Sequence, residues 1–363
     1  MAKRVGVDKW MYGTVTVLVL LGLVMVFSSS AVVASERFHS ASTFVVKQAF
    51  WAALGLITMS ILMRVDYRRL NKPNVVFILL GITTLLLLVA FTMRDSHATH
   101  RWIRLGAFSL QPSEIAKPVL VLFLAWFLQD RIHMMDDWRH AVLPAVLPVL
   151  ILVALILKEP DLGTALVCLA VSAILLYLAR LPWKYYAMGA IAAAPVMYYM
   201  LFHVGWRAAR MRVFMHPEED PRGAGFHIMQ SLIAVGTGGL TGVGLMEGKQ
   251  KLFYLPESHT DFIFANIAEE LGLIGTLLVV GLFAYLGYRG LRAAMLARDP
   301  FAQFLAVGIT ATILIQACFN ISVVLSLVPT KGIPLPFISS GGTSLFITLA
   351  SMGVLLNITR EIE

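Results

Sequence analysis

The chain has 363 residues, of which 58% are hydrophobic and 14% are charged, and its mean hydropathy is +0.79. This composition excludes an ordinary soluble domain and predicts an all-α integral membrane protein. The formal net charge of +8 suits contact with anionic lipid surfaces. No basic patch coincides with a nucleic-acid-binding motif, so nucleic acid is excluded as a partner.

Ten apolar segments predict about ten transmembrane helices in a single domain that covers residues 1–363. They lie at residues 12–30, 46–63, 75–93, 115–128, 141–157, 162–179, 186–204, 262–286, 301–325 and 343–358. The fourth is shorter than the ~20 residues that a span needs unless it begins nearer Gln111. No cleavage site follows the first, so we expect an uncleaved helix and not a signal peptide. An even number of spans places both termini on one side of the membrane.

The distribution of Lys and Arg predicts which side faces the cytoplasm. The side with the N-terminus is basic and is expected to be cytoplasmic, with Arg64, Arg68, Arg69, Lys72, Arg131, Arg139, Arg180, Lys184, Arg289, Arg292 and Arg298 in its loops. The outer side also carries many cations, which suggests that an anionic group is handled at the outer leaflet. These outer cations are Arg94, Arg101, Arg104, Arg207, Arg210, Arg212, Arg222, Lys249 and Lys251.

A large extracytoplasmic loop is predicted at residues 205–260. Within it, residues 226–235 form a mostly apolar run that is too short to cross the membrane, and we expect an interfacial or re-entrant helix there. Five glycines follow, at positions 236, 238, 239, 242 and 244, which permit close backbone approach or turns with positive φ. The P-loop pattern is absent, which favours turns over a phosphate-binding loop.

The stretch LPESHTDFIFANIAEELG, residues 255–272, joins this loop to the eighth predicted span. Asp261 therefore stands at the membrane boundary, where it is either a helix cap or a catalytic carboxylate. Glu269 and Glu270 follow about two turns into the span, although an ionisable residue at membrane depth costs about 3 kcal/mol. Groups retained at such a cost usually have a role.

Three further polar stretches are predicted on the same outer side. In RWIRLGAFSLQPSEIAKP, Glu114 and Lys117 share one helix face and form either a structural ion pair or part of a site. In KEPDLG, Asp161 either caps the next helix or acts functionally. In VPTKGIPLPFISSGGT, Lys331 and Ser339 lie among prolines and glycines, and such backbone at membrane depth must be buried in protein or line a wet cavity.

Several long motifs carry a resemblance to a known family. FSLQPSEIAKP, EPDLGTAL, GGLTGVGL, QKLFYLPESHTDFIFANIAEELGLIG and LVPTKGIPLPFISSGGTSL resemble the SEDS family of shape, elongation, division and sporulation proteins. The resemblance covers essentially the whole chain, with the motifs in the same order. MVFSSSAVVA, QKLFYLPESHTDFIF and PTKGIPLPFIS look more like the division and sporulation branch than the elongation branch.

The resemblance implies a peptidoglycan glycosyltransferase that polymerises lipid II, an undecaprenyl-pyrophosphate disaccharide peptide, into glycan strands. It would act at the outer leaflet of the bacterial cytoplasmic (inner) membrane, in septal or elongation wall synthesis. A class B penicillin-binding protein, the crosslinking transpeptidase, and other membrane proteins of division or elongation are the implied partners. The catalytic acid of the family's HTDF motif maps onto Asp261, and other motif residues map onto Glu114, Lys117 and Asp161.

The chemistry of this reaction suits these residue types. A sugar donor with a pyrophosphate leaving group needs one general base, for which we expect Asp261, and cations in place of the second carboxylic acid of glycoside hydrolysis. A single displacement inverts the donor carbon. The residues expected to bind substrate or pyrophosphate are Arg101, Arg104, Glu114, Lys117, Asp161, Arg210, His259, Lys331 and Ser339. A divalent cation, Mg²⁺ or Mn²⁺, held by Asp261 and Glu114, is an alternative to an all-protein site.

Two other classes of function are consistent with the sequence. A transporter or flippase that moves lipid II is possible because polar residues within a bundle also mark substrate paths. The clustering of acids and bases toward one face, and the lack of clear paired helices broken by Gly or Pro, favour the enzyme. A non-catalytic scaffold for the penicillin-binding protein is the third hypothesis, and it predicts that Asp261 is dispensable.

Overall fold

A computed structural model describes residues 6–93, 101–105, 108–216, 224–252, 254–256 and 258–360. Twelve α-helices occur in this part of the chain: α1 (Lys9–Phe38), α2 (Thr43–Leu62), α3 (Pro73–Ala90), α4 (Pro112–Leu128), α5 (Leu143–Lys158), α6 (Leu162–Leu178), α7 (Trp183–Phe202), α8 (Gly205–Met215), α9 (Ala224–Gly238), α10 (Ile263–Leu296), α11 (Pro300–Val324) and α12 (Gly342–Thr359). A short antiparallel hairpin, β1 (Ile103–Leu105) and β2 (Phe108–Leu110), precedes α4. The predicted all-helical membrane fold is confirmed, with this hairpin as a small addition.

Each of the ten predicted spans overlaps one helix, and α8 and α9 lie in the segment predicted as the outer loop. Within the described ranges, eight helices are long and apolar enough to cross a membrane, with α5 counted together with the π-helical turn Trp138–Val142 that precedes it. The apolar α6 and the adjacent α4 are shorter, at 17 residues each. The exact number of spans therefore stays a prediction.

Several helices begin where the local sequence supplies a cap or a proline. Asp8 accepts hydrogen bonds from two backbone N–H groups at the start of α1, and Asp299 accepts one from Ala302 at the start of α11. Proline occupies the first position of α3, α4 and α11, where its missing N–H has no helical partner in any case. These signals explain why the predicted and observed helix starts agree closely.

The helix α4 forms the centre of the bundle. It packs against α3, α5, α6, α11 and α12, and most of its side chains are buried. By contrast, no residue of α7 is buried, and its large apolar side chains face outward together with those of α2 and α3. Exposed apolar surface of this extent suits contact with lipid.

The predicted interfacial segment is a helix, α9, with one buried face. Gly225, Ile228, Ser231, Ala234 and Gly238 are buried at three- and four-residue intervals, and the helix packs against α8, α10 and α11. The Ser231 hydroxyl donates to the carbonyl of Val324 at 2.8 Å. This helix is therefore anchored to the protein itself, while its depth in the membrane stays a prediction.

The helix α10 is broken at Gly272, where φ is 65° and ψ is −161°. The sequence analysis did not predict this break, and a single broken helix does not make the paired broken helices of an inverted repeat. A single glycine inside an apolar run is usually tolerated within a helix, which is why the pattern did not reveal the break.

Candidate active site

Asp261 lies in the turn before α10 and is half-buried. The helix begins at Ile263 with Phe262 at the N-cap position, so Asp261 stands one residue before the position from which a side chain usually caps a helix. Its carboxylate contacts Gly332 so closely that a Cβ atom at that position would overlap Oδ2. The turn before α10 and the proline-rich segment before α12 therefore meet at this carboxylate.

Hydrogen bonds hold these two segments together. The Asn320 amide of α11 donates to the carbonyls of Asp261 at 2.8 Å and Ile333 at 2.7 Å. The Ser339 hydroxyl donates to the carbonyl of Thr260 at 2.6 Å. The N–H of Ser340 donates to the carbonyl of His259 at 3.0 Å. The backbone around Asp261 is thus fixed by residues that lie more than 50 positions away in the sequence.

Two further side-chain amides position the segment of residues 329–341. Gln48 of α2 donates to the carbonyl of Ser339 at 3.0 Å and accepts from the N–H of Gly341 at 3.2 Å. Gln316 of α11 donates to the carbonyl of Pro334 at 3.0 Å. The sequence analysis missed Gln48, Gln316 and Asn320, whose only signal was an uncharged amide within an apolar helix. Buried amides of this kind satisfy backbone groups that have no secondary-structure partner.

The predicted ion pair of Glu114 and Lys117 is formed. The two charged groups lie 2.8 Å apart, and both side chains are almost completely buried. Lys117 also donates to the Gln316 carbonyl oxygen at 2.7 Å, which connects the pair to the segment before α12. The structural hypothesis for these two residues is therefore supported, and their link to the Asp261 segment runs through Gln316.

Asp161 is the cap of α6, as one of its two hypotheses predicted. It accepts from the N–H and the hydroxyl of Thr164, at 3.2 and 2.8 Å. Gln111 and Ser113, at the start of α4, donate to the same carboxylate at 3.3 and 3.4 Å. Asp161 therefore also joins the start of α4 to the start of α6.

Arg101 and Glu159 meet at the turn between α5 and α6. The guanidinium of Arg101 donates to the carbonyls of Glu159, at 3.1 Å, and Pro160. The Glu159 side chain is completely buried, and within the described residues neither carboxylate oxygen has a hydrogen-bond partner. Burial, reinforced by the negative charge of Asp161 and opposed by Arg101, raises the pKa of Glu159 to about 8. Glu159 is therefore mostly protonated at neutral pH.

A largely apolar cavity of about 220 Å³ lies between α6, α7, α8 and α11. Two of the predicted cations, Arg210 and Lys331, line it. The cavity also contacts Ile333, which packs against Gly163 at the start of α6. Because Lys331 and Ile333 flank Gly332, this cavity lies next to the segment that contacts Asp261.

The remaining predicted residues occupy different surroundings. His259 is half-buried, and its ring lies 4.7 Å from that of Phe44. Arg104 is exposed in β1, opposite Ser109. Asp261, His259, Lys331 and Ser339 are thus brought together by the chain, whereas Arg104 lies on the hairpin. Arg94 and Arg222, which were counted among the outer cations, lie outside the described residues.

A divalent cation does not suit Glu114. Its carboxylate already faces the Lys117 ammonium at 2.8 Å, and that positive charge would repel a metal ion. In the described ranges, no group of three or more His, Cys, Asp or Glu side chains could hold a metal. A metal at Asp261 remains a prediction.

Lys251 is not an available outer cation, so that part of the sequence interpretation was wrong. Its side chain is 4% exposed, and its ammonium lies 2.6 Å from the Glu270 carboxylate. Glu269 and Glu270 are likewise buried and accept hydrogen bonds from the glycine-rich segment that precedes them. Glu270 is thus paired with Lys251 and Glu269 with backbone N–H groups, as charges at the predicted membrane depth require.

Comparison with known proteins gives concordant matches over nearly the whole chain. Residues 9–363 match the family model of FtsW, RodA and SpoVE, described as cell cycle protein. The chain is 42% identical to "Probable peptidoglycan glycosyltransferase FtsW" of Geobacter metallireducens, over 95% of this chain and 92% of that protein. It is 39% identical to "Stage V sporulation protein E" of Bacillus subtilis, over 95% of each chain.

Two solved structures share the fold. One, described as "Structural coordination of polymerization and crosslinking by a peptidoglycan synthase complex", contains a chain with 28% identity and a TM-score of 0.80, with 98% of both chains covered. The other is the rod shape determining protein RodA of Thermus thermophilus, with 27% identity, a TM-score of 0.71 and 98% of both chains covered. The resemblance drawn from the motifs is confirmed at the level of the family.

Proposed function

The chain belongs to the FtsW, RodA and SpoVE family and is a peptidoglycan glycosyltransferase, and from this premise we propose that Asp261 is its general base. The proposed substrate is lipid II, and the proposed product is a glycan strand made at the outer leaflet. Because its relatives at 42% identity carry the FtsW name, a role in septal wall synthesis is favoured over one in elongation.

The observation that carries this proposal is the position of the Asp261 carboxylate. It is half-buried, contacts Gly332 and lies one residue before the usual capping position. The neighbouring residue Lys331 lines the cavity together with Arg210. Glycosyl transfer from a lipid pyrophosphate donor requires a base for the acceptor hydroxyl and positive charge for the leaving group. A carboxylate next to a cavity lined by two cations provides both.

Each group has a defined task in the proposed reaction. Asp261 accepts the proton of the acceptor sugar hydroxyl as the hydroxyl oxygen forms a bond to the anomeric carbon of the donor. The bond between that carbon and the pyrophosphate oxygen breaks, and its electron pair leaves with the lipid pyrophosphate. Arg210 and Lys331 stabilise the negative charge of this leaving group. A single displacement of this kind inverts the configuration of the donor carbon.

The other predicted residues support this arrangement from a distance. The Glu114 and Lys117 pair reaches the segment before α12 through Gln316. Asp161 fixes the start of α6, whose Gly163 packs against Ile333. We propose that these residues hold Lys331 and Gly332 in position beside Asp261 and that they do not take part in proton transfer.

Purified protein with its transpeptidase partner and labelled lipid II tests the proposal. Asp261→Ala and Asp261→Asn should each lower the rate of glycan synthesis by roughly 100-fold or more, as loss of a general base does. Asp136→Asn is the matched control, because Asp136 is exposed in the loop between α4 and α5. Equal rates for the parent and Asp261→Asn would exclude Asp261 as the base.

The same preparations distinguish the two competing functions. The break of α10 at Gly272 is a feature also found at transporter sites, so vesicles should be assayed for movement of lipid II between leaflets. Movement without polymer would support a flippase. Polymer made by the partner alone, independent of Asp261, would support a scaffold.

We also propose that the chain works in the bacterial cytoplasmic membrane with a class B penicillin-binding protein that crosslinks the strands. The similar chain in the peptidoglycan synthase complex supports this pairing. Both termini are proposed to be cytoplasmic and the Asp261 turn extracytoplasmic. Labelling of single cysteines introduced at the exposed positions Tyr254 and Asp66 with an impermeant reagent should modify only the first in intact cells.

A further inference from the structure

The glycine-rich segment is built into the break of α10. In a continuous helix, the N–H groups of Leu273 and Ile274 would donate to the carbonyls of Glu269 and Glu270. Here they donate to the carbonyls of Gly239 and Leu240, at 2.9 and 3.2 Å. The carbonyls of Glu269 and Glu270 accept from the N–H groups of Val243 and Gly244, at 2.9 and 3.2 Å. We call residues 239–251 the clamp segment.

Glycine is required at the points of closest approach. Gly242 has φ +82° and Gly272 has φ +65°. A Cβ atom on Gly242 would overlap the backbone of α10, and one on Gly272 would overlap the backbone of the clamp segment. Gly238 lies equally close to the carbonyl of Ala268. At these glycines no side chain fits between the two segments, so their backbones are in direct contact.

Buried charges fasten the same junction. The Lys251 ammonium lies 2.6 Å from Glu270 and donates to the Ser28 hydroxyl of α1 at 3.0 Å. The Ser28 hydroxyl donates in turn to the Glu270 carboxylate, at 2.7 Å from both oxygens. Glu270 also accepts from the N–H of Met246 at 3.0 Å, and Glu269 accepts from the N–H of Lys249 at 2.8 Å. All of Ser28, Lys251, Glu269 and Glu270 are buried.

The break leaves a short half-helix, residues 263–271, directly after Asp261. A helix of this length is marginal by itself, so its position depends on tertiary contacts. One of its ends is held by the clamp segment. The other end is tied to α1 through Ser258, whose carbonyl accepts from Asn266 at 2.8 Å and whose hydroxyl donates to the carbonyl of Ser29 at 3.4 Å.

We propose that Lys251 and Glu270 are positioning residues for the glycosyl transfer reaction. Their ion pair, bridged to α1 by Ser28, fixes the half-helix and through it the turn that carries Asp261. This inference rests on the proposed role of Asp261 as the general base. It assigns a function to the clamp segment and to the serines at positions 28–30 of α1.

Four variants of this junction separate positioning from folding. Lys251→Met and Glu270→Gln each leave one buried charge without its partner, whereas the double variant removes both charges. Ser28→Ala removes the bridge to α1 and leaves the ion pair in place. Lys249→Met and Glu247→Gln are matched controls, because these two residues carry the same charges in the same segment but are exposed.

The measurement is kcat and KM for labelled lipid II, normalised to folded, monodisperse protein. A misplacement of about 1 Å lowers the rate of an enzyme by roughly 100-fold, so we expect each single variant to lose about 10- to 100-fold in kcat with KM nearly unchanged. The double variant avoids the unpaired buried charge but also lacks the ion pair, so its kcat should stay about tenfold below that of the parent. Ser28→Ala should lose about fivefold, and both controls should match the parent.

The outcomes discriminate clearly. If Ser28→Ala and the double variant both have the kcat of the parent per folded molecule, the inference is overturned. This test holds even if one of the single variants fails to fold. Loss of folded protein with unchanged kcat would show a purely structural junction and would also overturn it. Asp261→Asn is assayed in parallel: if it stays active, the proposed base is wrong, and if it is inactive while the junction variants are normal, only the positioning role is refuted.

Discussion

Replacement of Glu159 by glutamine should make the stability of the protein less sensitive to pH. Glu159 follows α5, and its carboxyl group is completely buried without a hydrogen-bond partner in the described part of the chain. Burial and the nearby charge of Asp161 raise its pKa from 4.5 to about 8, although Arg101 opposes the rise. At neutral pH the folded protein therefore holds a proton that the unfolded chain releases.

The sign of the effect follows from this difference. Below pH 4.5 the carboxyl group is protonated in both states, so its titration does not affect stability. Between pH 4.5 and about 8 only the unfolded chain loses the proton, and the free energy of unfolding falls as the pH rises. At about 1.4 kcal/mol per pKa unit, the full interval corresponds to at most about 5 kcal/mol. Glutamine has no proton to lose, so this decline should be absent in Glu159→Gln.

Thermal unfolding of detergent-solubilised protein, measured from about pH 5 to about pH 9, tests this reasoning. The melting temperature of Glu159→Gln should match the parent at the acid end and exceed it by several degrees above about pH 8. Glu247→Gln, at an exposed glutamate, controls for the loss of a carboxylate. Parallel curves for the parent and Glu159→Gln across this range would refute the raised pKa.

Two glycine substitutions give further expected outcomes. Gly332→Ala should displace the Asp261 carboxylate and lower kcat by about tenfold or more, whereas Gly341→Ala, which has room for a Cβ atom, should behave like the parent in the same polymerisation assay. Gly272→Ala should reduce the yield of folded protein, because its φ is +65° and its Cβ atom would meet the clamp segment. Gly281→Ala, in the same helix but in open space, should fold normally as judged by size-exclusion chromatography.

The sequence was sufficient for the parts of the structure that depend on local signals. Apolar runs of sufficient length predicted all ten long segments, because a backbone within lipid must satisfy its own hydrogen bonds. The spacing of Glu114 and Lys117 predicted their ion pair, since residues three apart share a helix face. The position of Asp161 directly before an apolar run predicted its cap on α6.

The features that the sequence did not reveal are long-range. The break at Gly272 depends on partners about 30 residues earlier in the chain, in a segment whose glycines predicted turns but not their destination. Asn320 contacts the Asp261 turn and the segment before α12, which are distant from each other in the chain. A side-chain amide within an apolar helix gives no indication of such partners.

The cations on the predicted outer side fall into two groups with different surroundings. An ammonium or guanidinium inside an apolar bundle must be paired, and the chain does this for Lys117 with Glu114, for Lys251 with Glu270, and for Arg101 with backbone carbonyls. These three cations stabilise the framework around the Asp261 turn. Arg210 and Lys331 are distinguished by their position, because both line the cavity beside Gly332. In the proposed reaction, these two residues would therefore stabilise the charge of the departing pyrophosphate, while the other three cations hold the framework in which Asp261 would act.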